Sequence, residues 1–419
     1  MRIQAPRGTE DVVPAKAARW QEIESAYHHI ASLYGYREIR TPVFEDVQLF
    51  KRTAGETSDI VDKEMYEFQD KGGRDIALKP EGTAPAIRAV LEHNLCPTGT
   101  HLRLWYATAC YRYGRPGQGR LRELHQLGAE LLGSSSADAD AEVLELAMRF
   151  FESLGIIGAP VKINSIGRQE CRAKFREVIL DHVNTYLQDA DEVTRGKIEK
   201  NPLGMLDSKD PKQKEALQGL PSILEFLEDD SKHRFDQLQA LLAEAKVPYQ
   251  VSPEIVRGLD YYTETVFEYE HPALPGLSVF GGGRYDNLVT QLGGQATPCV
   301  GYGIGMERLL AVLEKLEHET KQTAPLAFIV QATENASQVA RAIARDVRST
   351  NVPISLDLDR RSLKSQMRQA DGSGATFAII IGDDELAQSK VSVKNLKTSD
   401  QQLVAFDKVV EFLCEHSSL

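Results

Sequence analysis

Residues 101–133 read "HLRLWYATACYRYGRPGQGRLRELHQLGAELLG", two strand-like halves about a glycine-rich middle. In the first half Leu102, Leu104, Tyr106, Thr108 and Cys110 share one parity, as in a half-buried strand. "GRPGQGR" (114–120) is a basic loop built from residues that cannot continue a strand. "LRELHQLGAELLG" (121–133) then returns, so the whole predicts an antiparallel hairpin. On the returning strand Gln126 and Glu130 lie four apart and point the same way. Gly128, between them on that face, has no side chain. A polar floor with a gap in the middle suits a small ligand; the alternative is a solvated strand face.

Outward from the hairpin the chain alternates helices and extended runs. Residues 15–34 place Trp20, Ile23, Tyr27, Ile30, Ala31 and Tyr34 at helical spacing, with Gly35 as the stop. "YREIRTPVFED" (36–46) is extended and punctuated by Pro42. Residues 138–154 look helical, and the charged segment 168–245 reads as a helical insertion. The sheet resumes near 250 with "RGLDYYTETVFE" (257–268), whose β-branched and aromatic run favours a strand. Simple alternation puts Arg257 and Tyr262 on opposite faces of that strand, unless Gly258 bends it. "SVFGGGRYDNLVTQL" (278–292) follows, with "GGGRYD" read as a tight turn. "PCVGYGIGMERLLAVLEKLE" (298–317) is a glycine-rich strand entering a helix with Leu309, Leu310, Leu313 and Leu316 on its apolar side. After a polar linker at 317–325, "LAFIVQA", "PISLDLD" and "ATFAIIIG" predict a small α/β domain with a largely parallel sheet.

Composition narrows the class. A chain of 419 residues calls for two or three domains, and 42% hydrophobic with 26% charged residues fits a globular protein. No apolar run approaches a membrane span, and the first residues lack the apolar core of a signal peptide. Five scattered cysteines without a C-x-x-C argue against a disulfide framework or zinc site and point to a reducing cytoplasm. The net charge of −12 argues against a general nucleic-acid coat, while leaving local basic surfaces open.

Several residues carry chemistry. Glu81 and Thr83, on a turn in "LKPEGTAPAIR" (78–88), can hold an ammonium group; the alternative is Thr83 capping a helix that starts near Pro85. Arg308 follows glycines at a helix start, where an anion is favoured. No phosphate-loop motif, metal cage or nucleophile–base pair occurs. Arg361, Lys364 and Arg368, preceded by Arg360, fall at i, i+3 and i+7 on one predicted helix face. Such a face tracks nucleic-acid phosphates or is simply solvated.

Together these segments resemble the bacterial-type histidyl-tRNA synthetase family of class II aminoacyl-tRNA synthetases. "YGYREIRTPVFED", "YRYGRPGQGRLRELHQLGAELLG" and "GYGIGMERLL" resemble the three class motifs. "RGLDYYTETVFE" and "GGGRYDNLV" resemble the two signatures of the histidine enzyme. The resemblance implies an α+β catalytic domain, an antiparallel sheet flanked by helices, in two parts, 1–167 and 246–320. It also implies a helical insertion at 168–245 and a C-terminal α/β anticodon-binding domain at 325–419. The implied activity joins L-histidine to histidine tRNA, with ATP as substrate and Mg²⁺ bound with ATP, in a cytoplasmic homodimer that meets no membrane. Pro42 is implied at the dimer contact.

The resemblance also assigns roles. Arg257 would contact the α-phosphate and the histidine carboxylate, and Tyr261 and Tyr262 would line the histidine pocket. Glu81 and Thr83, with Gln126, would hold the α-amino group, and Glu130 would face the imidazole. Arg112 and Arg308 would hold the α- and γ-phosphates; no resident metal is implied. A substrate lacking imidazole nitrogens would leave Glu130 and Tyr262 unpaired, a discrimination of about 10⁴. Arg115 and Arg120 lie in the loop that meets the tRNA acceptor end, and Arg361, Lys364 and Arg368 would meet tRNA from the C-terminal domain. This chain departs from the family pattern at Gly114, where an acidic residue is usual, and at Gly117 and Gly204. Two alternatives stand beside this reading. A regulatory paralogue that partners ATP phosphoribosyltransferase typically lacks the anticodon domain and erodes "RGLDYY". The threonine or proline enzymes lack both histidine signatures.

Overall fold

In a computed structural model, describing residues 3–53, 60–117, 119–259, 261–319 and 324–417, the hairpin forms as its alternation requires. Leu102–Tyr111 pairs antiparallel with Glu123–Leu132, in register from Leu102↔Leu132 to Tyr111↔Glu123. Six further strands extend the sheet. Its order runs Arg37–Glu38, Leu102–Tyr111, Glu123–Leu132, Cys299–Gly305, Ser278–Arg284, Thr263–Glu270, Val161–Ser165, Tyr249–Val251. The middle is antiparallel, as expected, whereas the pair at each edge is parallel.

The pleat sorts the hairpin into two faces. Trp105, Leu127, Ala129 and Leu131 join the main core with the helices Pro14–Leu33, Ala137–Ser153, Asp229–Glu244 and Met306–Lys315. An aromatic stack of Phe151, Tyr269 and Phe280, with centroids 4.9 and 5.5 Å apart, fills this side. Burying one such ring contributes about 1.5–3 kcal/mol. Gln126, Gly128 and Glu130 occupy the alternate positions, on the opposite face. A separate three-stranded sheet, Phe44–Asp46, Asp75–Leu78 and Tyr66–Gln69, flanks this body.

Four local expectations change. Arg257, Gly258, Leu259, Tyr261 and Tyr262 are not strand; the strand begins at Thr263. Gly281–Gly283 are strand, not turn, because the chain there runs between two neighbours too close for side chains. A Cβ on Gly282 would sit 2.1 Å from the Gly301 carbonyl oxygen. In the helix after the glycine-rich strand Met306, Leu309, Val312 and Leu313 are buried, while Leu316 is 43% exposed beyond its last turn. Arg361 precedes Ser362, the N-cap of helix Leu363–Gly372, so only Lys364 and Arg368 share that helix.

The chain divides into two compact units, Met1–Thr320 and Lys321–Leu419. In the second, Ile354–Leu356, Ala327–Gln331 and Phe377–Ile381 are parallel, as their alternation with helices predicts. Two antiparallel strands, Lys390–Asn395 and Gln401–Ala405, complete the sheet; their polar residues hid them in the sequence. Of the expected linker, residues 320–323 lie outside the described residues, as do Gln118 in the basic loop and Asp260 in "RGLDYY".

Candidate active site

The polar face of the hairpin opens onto a cleft of about 330 Å³. Glu81, Thr83, Arg112, Gln126, Arg257, Tyr261, Tyr262 and Arg308 all line it. Residues from five separate segments therefore meet where the sequence suggested a ligand floor.

Gly128 leaves no open gap. The ring of Tyr106 fills it, lying between Gly128 and Gly82. A Cβ on either glycine would come within 2.2 or 2.3 Å of that ring. Beside it Glu130 is fully buried, and it is absent from the cleft lining. Tyr106 donates its hydroxyl to Glu130 Oε1 at 3.0 Å, and Tyr285 donates to Oε2. Burial pushes the Glu130 carboxyl up to about 8, against the pull of the hydroxyls of Tyr285, Thr83 and Tyr106. The facing strand makes room for it: Gly301 pairs with Glu130, and a Cβ there would lie 1.7 Å from Oε2.

Glu81 takes the capping role that the sequence offered to Thr83. Its carboxylate accepts the backbone N–H of Thr83 at 2.6 Å and of Ala84 at 2.9 Å, opening helix Thr83–Glu92. Burial raises its pKa, which those bonds oppose. Gln126 Oε1 accepts the Gly82 N–H at 3.0 Å and ties this turn to the hairpin. The rings of Tyr261 and Tyr262 meet at a tilt of 43° with centroids 4.7 Å apart, and Tyr261 meets Tyr285 edge-on at 5.7 Å.

The other end of the cleft is cationic. Arg257 lies over Gly281, where a Cβ would approach its guanidinium to 2.5 Å. Glu268 faces it at 3.6 Å, and its buried Nε has no hydrogen-bond partner among the described residues. Arg112 Nε donates to the Pro80 carbonyl at 2.7 Å. Arg308 donates to the carbonyls of Gly119 at 3.2 Å and Ser278 at 2.6 Å. Burial, then the charges of Arg112 and Arg120, lower the Arg308 pKa. Arginines parked on carbonyl oxygens keep their full charge for an anion.

Sequence reasoning missed Tyr106, Tyr285 and Glu307. Glu307 accepts the His125 N–H and ring Nδ1, both at 2.9 Å, locking the hairpin to the helix that carries Arg308. Tyr285 stands in the quoted "GGGRYD", yet its partner is Glu130, far off in the chain. Where Gly114 lacks a side chain, the Arg120 guanidinium comes within about 3.0 Å, paired with Glu64. Arg115 is exposed on the loop. Arg361, Lys364 and Arg368 belong to the C-terminal unit; all are exposed, and Arg361 is engaged by Asp359 at 2.7 Å. Among the described residues no cluster of His, Cys, Asp or Glu could hold a metal, and no helix is long and apolar enough to cross a membrane.

Comparison with known proteins identifies the family of the chain. A family model described as "Histidyl-tRNA synthetase" matches residues 8–309, and one described as "Anticodon binding domain" matches 324–416. Histidine–tRNA ligase of Acaryochloris marina is 42% identical over 96% of this chain and 94% of its own. That of Clostridioides difficile is 42% identical over 99% of each chain. The crystal structure of apo histidyl-tRNA synthetase from S. aureus superposes with a TM-score of 0.83 at 33% identity, covering 98% of this chain and all of its own.

Proposed function

The chain belongs to the histidyl-tRNA synthetase family, and from that premise we propose that the cleft is its histidyl-adenylate site. The activity is histidine–tRNA ligation with ATP as substrate. A histidine carboxylate oxygen attacks the α-phosphorus, the bond to the β-phosphate breaks, and pyrophosphate leaves. A hydroxyl of the terminal tRNA ribose then attacks the adenylate carbonyl, and AMP leaves. The nucleophiles belong to the substrates, so the protein supplies position and charge.

The observation that carries the assignment is the sharing of one cleft by four guanidinium groups, those of Arg112, Arg120, Arg257 and Arg308, and a tyrosine-lined end that holds Glu81. Arg257 bridges the α-phosphate and the histidine carboxylate, and its orphan Nε marks it as built for an anion. Arg112 takes the α-phosphate and Arg308 the γ-phosphate. Glu81, Thr83 and Gln126 take the ammonium group. Tyr261 and Tyr262 wall the imidazole, and Glu130 acts on it through the place of Tyr106. ATP enters with Mg²⁺, which neutralises triphosphate charge. Glu64 and Glu307, bonded to Arg120 and His125, line the same cleft and would be the carboxylates nearest an ion bound with the triphosphate.

Arg115 and Arg120 meet the tRNA acceptor end, and Arg361, Lys364 and Arg368 meet tRNA phosphates from the C-terminal unit. The homodimer forms beside Pro42, where Val43, Phe44 and Phe68 are 45, 55 and 46% exposed. The cytoplasm is its compartment. ATP–pyrophosphate exchange against each of the twenty amino acids tests the site. Exchange with histidine alone is expected; no exchange by the folded protein would overturn it.

A further inference from the structure

The strand after "RGLDYY" breaks its own alternation. Thr263 pairs with Arg284 but Val266 with Gly283, so Glu264 and Thr265 are additional residues in a bulge. Glu264 has φ +52°, a left-handed conformation that residues other than glycine rarely adopt. Its N–H donates to the Gly167 carbonyl at 3.0 Å, and its own carbonyl accepts from Ile166 at 2.8 Å. Its carboxylate, only 3% exposed, accepts from Arg168 Nε and Ser231 Oγ, each at 2.9 Å.

Both partners belong to the helical insertion. Arg168 is the N-cap of its helix Gln169–His182, and Ser231 stands in its helix Asp229–Glu244. One turn along the first of these, Arg172 Nη1 donates to the carbonyl oxygen of Tyr262 at 2.9 Å. The two ends of the insertion thus converge on residues 262 and 264, beside the tyrosine pair that lines the cleft. An insertion root that only packed would bury apolar side chains. This one does bury Cys171, Phe175, Phe235 and Leu238, but it also holds a strained backbone and a buried carboxylate, which cost stability unless something downstream needs their geometry.

We infer that the root of the insertion is a positioning clamp on the histidine pocket. Arg172 sets the main chain of Tyr262, while Arg168 and Ser231 hold the Glu264 bulge that follows it. None of Arg168, Arg172 and Ser231 lines the cleft, so they act through Tyr262. The inference rests on the cleft being the histidine site.

The test is ATP–pyrophosphate exchange by the full chain, with KM measured separately for histidine and ATP. Arg172→Met is expected to raise the histidine KM about tenfold, the weight of one charge-assisted hydrogen bond, with the ATP KM within about twofold. Arg172→Lys, which keeps a donor, should recover part of that loss. Ser231→Ala should raise the histidine KM about threefold and decides the matter if Arg172→Met does not fold. An unchanged histidine KM in the variant that folds, an equal rise in both constants, or no recovery with lysine would overturn the clamp. Wild-type exchange with histidine tests the site itself, and the variant-to-wild-type ratio tests the clamp.

Discussion

The two ends of the cleft are built on opposite principles. At the histidine end three polar side chains already have protein partners: Glu130 with Tyr106 and Tyr285, Glu81 with two backbone N–H groups, Gln126 with Gly82. At the phosphate end Arg112 and Arg308 rest on carbonyl oxygens, and Arg257 faces Glu268 at 3.6 Å. The first arrangement fixes a shape against which an imidazole can be measured, at the cost of burying carboxylates. The second stores charge that costs little to redirect when phosphate arrives. Under the proposed function, selectivity belongs to the rigid end and rate to the charged one.

Arg257 stands where the ends meet, so its removal breaks the comparison most severely. Arg257→Ala is expected to lower histidine-dependent exchange about 10³-fold with the fold intact by circular dichroism. Near-normal turnover would remove its role. Gly281→Ala, which thrusts a methyl against the same guanidinium, should reproduce part of that loss without touching the arginine itself.

Truncation after residue 324 spares both ends. It should reduce tRNA charging about 10²-fold while exchange stays within about threefold, because only the second step needs the basic surface of the C-terminal unit. Equal loss of both steps would count against an anticodon role for that unit. Arg308→Lys replaces a fork with a point charge, so the ATP KM should rise about tenfold while the histidine KM stays level. A matching rise for histidine would show that the ends are not independent.

The smallest effect isolates the rigid end. Glu130 titrates near 4.5 when exposed and at about 8 when folded, so the native state holds a proton that the unfolded chain has lost between those values. Stability must therefore fall as pH rises through that window. Glu130→Gln has no such proton. The wild-type Tm should drop relative to the variant by a few degrees, about the shift expected for one or two kcal/mol in a large domain, between pH 5 and 8. Parallel pH profiles would mean that the carboxyl is not held neutral.

Alternation along Leu102–Tyr111 and Glu123–Leu132 was enough to predict the hairpin and the common face of Gln126 and Glu130, because the pleat is a local property with a period of two. Helical spacing likewise located Pro14–Leu33, and the motif residues gathered in the cleft could be named in advance. Three things were decided only in the folded chain. Tyr106 fills the space over Gly128, and Tyr285 reaches Glu130 across 155 residues of chain. The parity conflict between Arg257 and Tyr262 dissolves, since residues 257–262 lie ahead of the strand and a bulge follows at Glu264. The reason is physical: periodicity records which face a residue occupies, whereas ring packing, ion pairing and bulges depend on which distant segment lies opposite, and nothing in a local repeat carries that.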